Sequence, residues 1–544
     1  MRVRLVLLAL SVSASIEAQS LTRLIGAGDP VPGGDLVESF SAVAVAPDGT
    51  WGAILATDAD DAIDVLVLVD GVVVLREGDP IGGMPGFVAS GLNELDLATG
   101  HPACLSIVAR QDSDYRSAAV LGGVAIAQEL GLVGAPEFTP GTPWVQVTAA
   151  RIGPTGAVLI SGQMDDPNIP RLIDYGLVRT ELDAKGVRSY TAVLKTDDPI
   201  AGLDGGSCDY LPSSARSFEL AGDDHWIANV NFSGVTELDG YVLDGTAVVV
   251  RDTPSLVAGR DWGILLPTSL SVNSLGEHAY FGRLEGPPNS NDALIAKNGA
   301  ILVQKGEPLP SIAPARIRTL DSTSVEISDA GRVLWYGDTA SFPDPSEGGL
   351  FLDRAPLVRI GDPLPGGGTL ASFLPAGKGT CLSADGRWVV FGARDEDGLE
   401  ALYRIDLGAV IPMSDGGLNE GRLRLSGGLA LPGESIDLAL SAGPAPGSAT
   451  VLFASALPAP GWPPLGLSLP FGELLIDPSA GAYLGSRDVG TWVGDVRRTT
   501  LGIPDDPTLA ETTFYLQGAF FDPSGTTGAF VHLTGGLAVT VGGA

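Results

Sequence analysis

The sequence predicts an all-β protein: a seven-bladed β-propeller closed by its own N-terminal strand, followed by an antiparallel β-sandwich. Three observations carry this. One pattern of about 55 residues recurs seven times between Leu21 and Leu407, a period that marks blade-like repetition. The first copy is preceded by a lone strand, and the last copy lacks its fourth. The pattern stops near Val410, and a different strand-rich segment runs to Ala544.

Each copy opens with an acidic loop before proline or a related turn. The clear examples are GDPVPGG (Gly28 to Gly34), GDPIGGM (Gly78 to Met84), DDPIAGL (Asp197 to Leu203), GEPLPSI (Gly306 to Ile312) and GDPLPGG (Gly361 to Gly367). Looser copies fall around Glu129 to Pro136 and Asp252 to Val257. Two apolar strands follow, joined by a glycine turn, as in SAVAVAPDGTWGAIL from Ser41. Glycine there supplies a positive φ that residues with a Cβ resist. A hairpin completes the copy, as in DVLVLVDGVVVLREG from Asp64, where Asp70 and Gly71 signal the turn.

The ends of the array predict closure. LEALYRIDL (Leu399 to Leu407) is the third strand of the seventh copy, and LTRLIGAGDP from Leu21 is a fourth strand without its first three. Pairing them closes the ring and leaves no bare edge in the last sheet.

Composition agrees. The chain has 544 residues, 44% of them apolar, with 74 glycines and 40 prolines, which suits a well-cored protein of short strands and turns. Helical apolar spacing is almost absent, so helix is expected to be scarce. Residues 1–18 read as a signal peptide: Arg2 and Arg4, an apolar run from Leu5 to Leu10, then small residues, with cleavage after Ala18 and Ala14 as a second candidate. That apolar run is too short to span a bilayer. No later segment reads as transmembrane, so the mature chain is expected outside the cytoplasm, secreted or at the cell surface. A formal charge of −33 argues against nucleic acid and anionic membrane surfaces as partners. Cys104, Cys208 and Cys381 are an odd count in an exported chain and are read as thiols acting as small apolar residues.

The expected domains are residues 19–409, the propeller, and 410–544, a jelly-roll-like sandwich of about eight strands. In the latter, Phe514, Tyr515, Phe520 and Phe521 read as core, and Trp462, set among prolines, as an exposed-contact candidate.

The turn unit CLSADGRWVVFGARDEDGLEALYRIDL from Cys381 resembles the repeat of TolB-like propellers through Ser383, Asp385, Gly386, Phe391, Leu402 and Tyr403, with Ala384 in place of the usual proline. Together with the acidic-proline loops, the first 407 residues resemble uncharacterised exported bacterial tandem-repeat proteins. Those pair a Gly-Asp-Pro loop with an Asn-x-x-Gly-x-x-Ala-Phe turn, here Asn273, Gly276, Ala279 and Tyr280. The C-terminal segment, with Leu509, Gln517, Asp522 and Pro523, is similar to a terminal β-domain of planctomycete-type exported proteins. The resemblance implies a fold and an exported location, and no activity or site residue.

Candidate chemistry comes from carboxylates. The inter-copy acids Asp29, Asp79, Asp198, Glu307 and Asp362 share an expected face with clusters between second and third strands. For the inter-copy acids the structural reading is turn formation by carboxylates accepting backbone N–H groups. Asp58, Asp60 and Asp64 together with Asp395 and Asp397 are the candidate Ca²⁺ ligands, since Ca²⁺ takes six to eight oxygens. No other cofactor is implied. His101, His225 and His278 fall on the opposite face and His532 in a C-terminal strand, which suggests no zinc site or Ser–His–Asp arrangement. No Gly-x-Ser-x-Gly elbow occurs, and the Ser-x-Asp-x-Gly-x-x-Trp spacing of sialidases is not met. The sequence therefore assigns no catalytic residue. It points to an exported binding or scaffold protein whose partner is a protein or polysaccharide at the cell exterior. The alternative is a carbohydrate-active hydrolase or lyase using two carboxylates of the acidic face.

Overall fold

The computed structural model describes most of residues 21–542. It leaves out short segments, among them 170–173, 212–216, 310–314, 341–346, 375–378, 414–418, 442–447, 460–466, 493–496 and 523–530. The signal-peptide reading of residues 1–18 and the contact reading of Trp462 lie outside the described residues. The chain is all-β. Among the described residues there is no α-helix, only single-turn 3-10 helices at Asn289–Asn291 and Pro507–Leu509.

Residues 21–406 form seven antiparallel sheets. Sheet one contains Val37–Val45, Trp51–Thr57, Val65–Val69 and Val72–Arg76. Sheet two has Val88–Asp96, Cys104–Gln111, Asp114–Leu121 and Val124–Gln128. Sheet three has Trp144–Ile152, Val158–Met164, Asp174–Leu182 and Arg188–Lys195. Sheet four starts with a divided strand, Ser207–Tyr210 and Phe218–Ala221, then His225–Ser233, Asp239–Leu243 and Thr246–Val250. Sheets five and six begin at Leu270–Val272 and Arg316–Ile327 and end at Ala300–Gln304 and Ala355–Arg359. In sheet seven, Leu370–Phe373 and Thr380–Leu382 precede Trp388–Asp395 and Glu400–Asp406.

The fourth strand of sheet seven is Leu21–Gly26. It runs antiparallel to Glu400–Asp406, with Arg23 opposite Tyr403 and Gly26 opposite Ala401. The pairing predicted from the two incomplete ends is therefore present. Ile25 is buried in one cluster with Leu402, Val390, Val43 and Trp51, which joins the last sheet to the first. On the same seam Trp388 lies between the guanidiniums of Arg387 and Arg404, 4.4 and 4.5 Å from its ring. Its indole also packs on Gly49 of the first sheet, and Arg404 donates to the Gly49 carbonyl at 3.1 Å. First strands of consecutive sheets touch in cyclic order, from sheet one through sheet seven and back to sheet one.

The local chemistry repeats with the sheets. The turn glycine between first and second strands, Gly49, Gly100, Gly156, Gly222, Gly276, Gly331 or Gly386, has positive φ in every sheet. A second positive-φ site opens each inter-sheet loop, at Gly28, Gly78, Leu130, Asp197, Asp252, Gly306 and Gly361. The following acids do what turn formation requires. Asp29 accepts from the Gly26 N–H at 2.8 Å, Asp79 from Arg76 at 2.8 Å and Asp198 from Lys195 at 2.8 Å. Glu307 accepts from Gln304 at 3.1 Å and Asp362 from Arg359 at 2.7 Å. The looser copies make the same backbone connection: Leu130 and Asp252 donate to the carbonyls of Trp144 and Trp262, both at 2.8 Å.

Leu130 departs from this pattern, holding a branched side chain at φ 64° with 65% of its surface exposed. The left-handed region costs a residue with a Cβ about 1 kcal/mol or more. Leu130→Gly is expected to raise the melting temperature by a few degrees, and an unchanged or lower value in a thermal scan would contradict that.

The C-terminal segment builds a five-stranded sheet, with Ala409–Met413, Val531–Thr540, Thr513–Phe521, Ala449–Ser455 and Tyr483–Thr491 in that order. A three-stranded sheet contains Arg422–Gly428, Ser435–Ser441 and Arg497–Gly502. Alternation in Ser435–Ser441 turns Ile436, Leu438 and Leu440 inward, where they share one core with Leu452, Trp492, Leu516, Phe520 and Leu537 of the larger sheet. Phe520 is thus core, as its alternation suggests. Leu431 is buried among Leu407, Tyr403 and Ile405, which fixes this segment against sheet seven.

Candidate functional site: the central cavity

The first strands converge on a cavity of about 140 Å³ to which all seven sheets contribute. Its apolar lining includes Val43, Leu95, Phe218, Leu270, Val325 and Leu382. Its polar lining includes Asp96, Arg151, Glu219, Glu326 and Cys381, with Thr268, Asn273 and Asp329. Sequence reasoning missed Asp96, Arg151, Glu219 and Glu326, because each reads as an ordinary polar position in a half-buried strand, and it read Cys381 only as a small apolar residue. A signal was present. Arg151, Glu326 and Cys381, with the nearby Ser271, each stand five residues before a turn glycine and so share one register of the repeat.

The polar groups staple one sheet to the next. Asp96 accepts from the Ile152 N–H at 2.9 Å, Ser106 from Ala150 at 2.9 Å, Ser271 from Ile327 at 2.9 Å and Glu326 from Leu382 at 2.5 Å. Three of these bonds span 56 residues, one repeat. First strands of neighbouring sheets touch but belong to separate hydrogen-bonded ladders. Side-chain acceptors satisfy the donors that would otherwise be buried and unpaired.

The electrostatics centre on one cation. Burial works to lower the pKa of Arg151, but Asp96, Glu94 and Glu219 outweigh it and hold the guanidinium above its ordinary value. Burial pushes Glu219 up to about 8. Repulsion from Glu326 and Asp96 adds to this, while a hydrogen bond with Ser271 and the charge of Arg151 oppose it. A comparable site lies at the edge of sheet one, where burial and then the Asp64 carboxylate bonded to it push Glu77 up to about 7.

Both carboxyls keep a proton in the folded chain at pH values where the unfolded chain, at its ordinary 4.5, has lost it. Their contribution to stability is therefore complete below about pH 4.5. It is lost as pH rises toward 7 for Glu77 and toward 8 for Glu219. Relative to the parent, Glu219→Gln is expected to gain melting temperature steadily between those limits. A pH-independent difference between the two proteins would rule this out.

The sequence-predicted acids are placed elsewhere. Asp58 accepts from the Leu36 N–H at 2.6 Å, the Asp60 carbonyl accepts from Ile63 at 2.8 Å, and the Asp64 side chain bonds Glu77. Asp395 accepts from the N–H groups of Asp397 and Leu399, at 3.0 and 2.9 Å. Among the described residues no group of three or more His, Cys, Asp or Glu is arranged to hold a metal ion, so Asp58, Asp60, Asp64, Asp395 and Asp397 are not gathered into one.

Cys104 and Cys208 are buried and Cys381 half-buried, and none of the three forms a disulfide. Burial pushes the Cys104 thiol up, so it is inert. Cys208 lies on the first strand of sheet four. His101 and His225 pack on Gly156 and Gly276, the turn glycines of the next sheets, and His225 bonds Asp244 at 2.7 Å. These are structural contacts.

No family model matches the chain, and no curated protein matches it. Among solved structures, a variant of Salmonella alpha-2-macroglobulin aligns with 95% of this chain and 40% of that one, at 11% identity and a TM-score of 0.14. A likeness at that level leaves the architecture to be argued from this chain alone. No helix among the described residues is long and apolar enough to cross a membrane.

Proposed function

We propose that the protein is an exported binding or scaffold protein. In this reading residues 19–409 form a seven-bladed propeller closed by its N-terminal strand and act as a rigid interaction platform. Residues 410–544 form a β-sandwich that serves as an accessory module for attachment at the cell surface. The observation that carries the reading is how the loop carboxylates are used. The acids of five inter-sheet loops are bonded to backbone of their own turns, and Asp96 and Glu326 of the cavity to the neighbouring sheet. Such groups set shape, and a fixed shape is what a recognition surface requires.

The second reading, a carbohydrate-active hydrolase or lyase, draws on Glu219, whose raised pKa suits a general acid. Cavity size opposes it, since about 140 Å³ holds roughly four or five waters and no sugar chain. The test is a broad glycoside and polysaccharide screen with the full chain expressed in an exporting host. The expected result is a chain recovered outside the cytoplasm that binds cell envelope and turns over nothing. Turnover abolished by Glu219→Gln would replace the proposal with the second reading.

A further inference from the structure

Two edge strands of the C-terminal segment face each other across an open cleft of about 610 Å³. Tyr483–Thr491 ends the five-stranded sheet and Arg497–Gly502 the three-stranded one. Their side chains cross the gap: Arg487 donates to the Thr500 carbonyl, and Arg497 to the Val489 carbonyl at 2.8 Å. These bonds hold the two walls at a fixed separation. The volume is within the range of small-ligand sites, and the lining is predominantly polar.

The lining joins Arg487 and Arg498 to Asp437, Asp488, Val489, Thr499 and Thr500. In a chain of net charge −33, this balance of two guanidiniums against two carboxylates is a local exception. The groups are only partly used. Asp437 accepts from the Thr500 hydroxyl at 2.5 Å, and one oxygen of Asp488 accepts from the Gly490 N–H at 2.8 Å, leaving acceptor capacity on both. The side chain of Arg498 is exposed and makes no hydrogen bond or ion pair among the described residues.

We infer that this cleft binds a carboxylated glycan, with Arg498 and Arg487 taking the sugar carboxylate and Asp437 and Asp488 taking neighbouring hydroxyls. A guanidinium matches a carboxylate with two parallel N–H donors. A carboxylate side chain is acceptor-only and takes hydroxyl protons. A uronate unit offers both partners within one ring. The inference rests on the C-terminal segment being the attachment module and names what it attaches to.

The test titrates the full chain calorimetrically with a galacturonate oligomer at low salt, beside its carboxyl-reduced neutral counterpart and polyglutamate. The expected result is binding of the uronate oligomer, at least tenfold weaker binding of the other two, and at least tenfold loss in Arg498→Ala with an unchanged melting temperature. Arg487→Ala should weaken binding as well, but it removes a bond between the strands. Arg498→Ala is therefore the deciding variant, since it breaks no contact. Absence of heat with the uronate oligomer, equal binding of polyglutamate, or full binding by Arg498→Ala would each overturn the site. If the chain still adheres to envelope in those cases, the attachment reading survives without this site.

Discussion

Deleting Leu21–Gly26 is expected to cost at least about 5 kcal/mol, a large share of the ~5–15 kcal/mol that holds a domain folded. The deletion strips the pairing from Glu400–Asp406, removes Ile25 from the cluster that joins sheet seven to sheet one, and bares an apolar strand edge. Soluble but readily melted or aggregating protein is the expected outcome, read by thermal scan and size-exclusion chromatography. The complementary experiment crosslinks the seam. Thr22 and Arg404 are paired across the two strands, so a Thr22→Cys, Arg404→Cys double variant should close a disulfide under oxidising conditions. Closing so long a loop stabilises by up to about 5 kcal/mol, less the lost Arg404–Trp388 contact. A truncated chain that melts like the parent, together with thiols that stay reduced, would refute closure.

Arg151→Met is expected to destabilise by about 3 kcal/mol or more near neutral pH. Removing a cation that faces Asp96, Glu94 and Glu219 leaves Asp96, Glu219 and Glu326 crowded in a small cavity with less compensation. The deficit has a signature that ordinary packing loss does not share. Glu219, already raised, loses the opposing charge of Arg151, so the variant loses stability as pH rises and approaches the parent near pH 4. Chemical denaturation at pH 4 and pH 8 separates the two causes. Equal deficits at both would mean that Arg151 acts only as a space-filling stem.

These predictions mark what the sequence did and did not contain. Turn positions were legible because their physics is local: Gly49 or Gly386 needs positive φ, and Asp29 or Asp362 needs a backbone N–H three residues back. The closing strand was legible by elimination, since two incomplete units at opposite ends complete each other. The cavity was not, because Asp96, Arg151, Glu219 and Glu326 stand far apart in the chain and meet only when first strands converge. The acids read as candidate calcium ligands are, for a related reason, seen in the structure as turn formers, with no metal-holding group among the described residues. Asp395 looks like a ligand from its neighbours, yet one of its oxygens accepts from the N–H groups of Asp397 and Leu399 and so shapes its own turn. Composition counts carboxylates, but only geometry shows which remain available.

The partnership of Arg23 with Tyr403, about 380 residues away, also orders events during synthesis. A nascent chain must keep its opening segment waiting while six complete sheets emerge, for no earlier part of the polypeptide offers it a matching edge. Sheet seven is complete only after its third strand, Glu400–Asp406, has been made. Whatever holds that segment extended in the interval governs how much of each newly made molecule escapes misassembly.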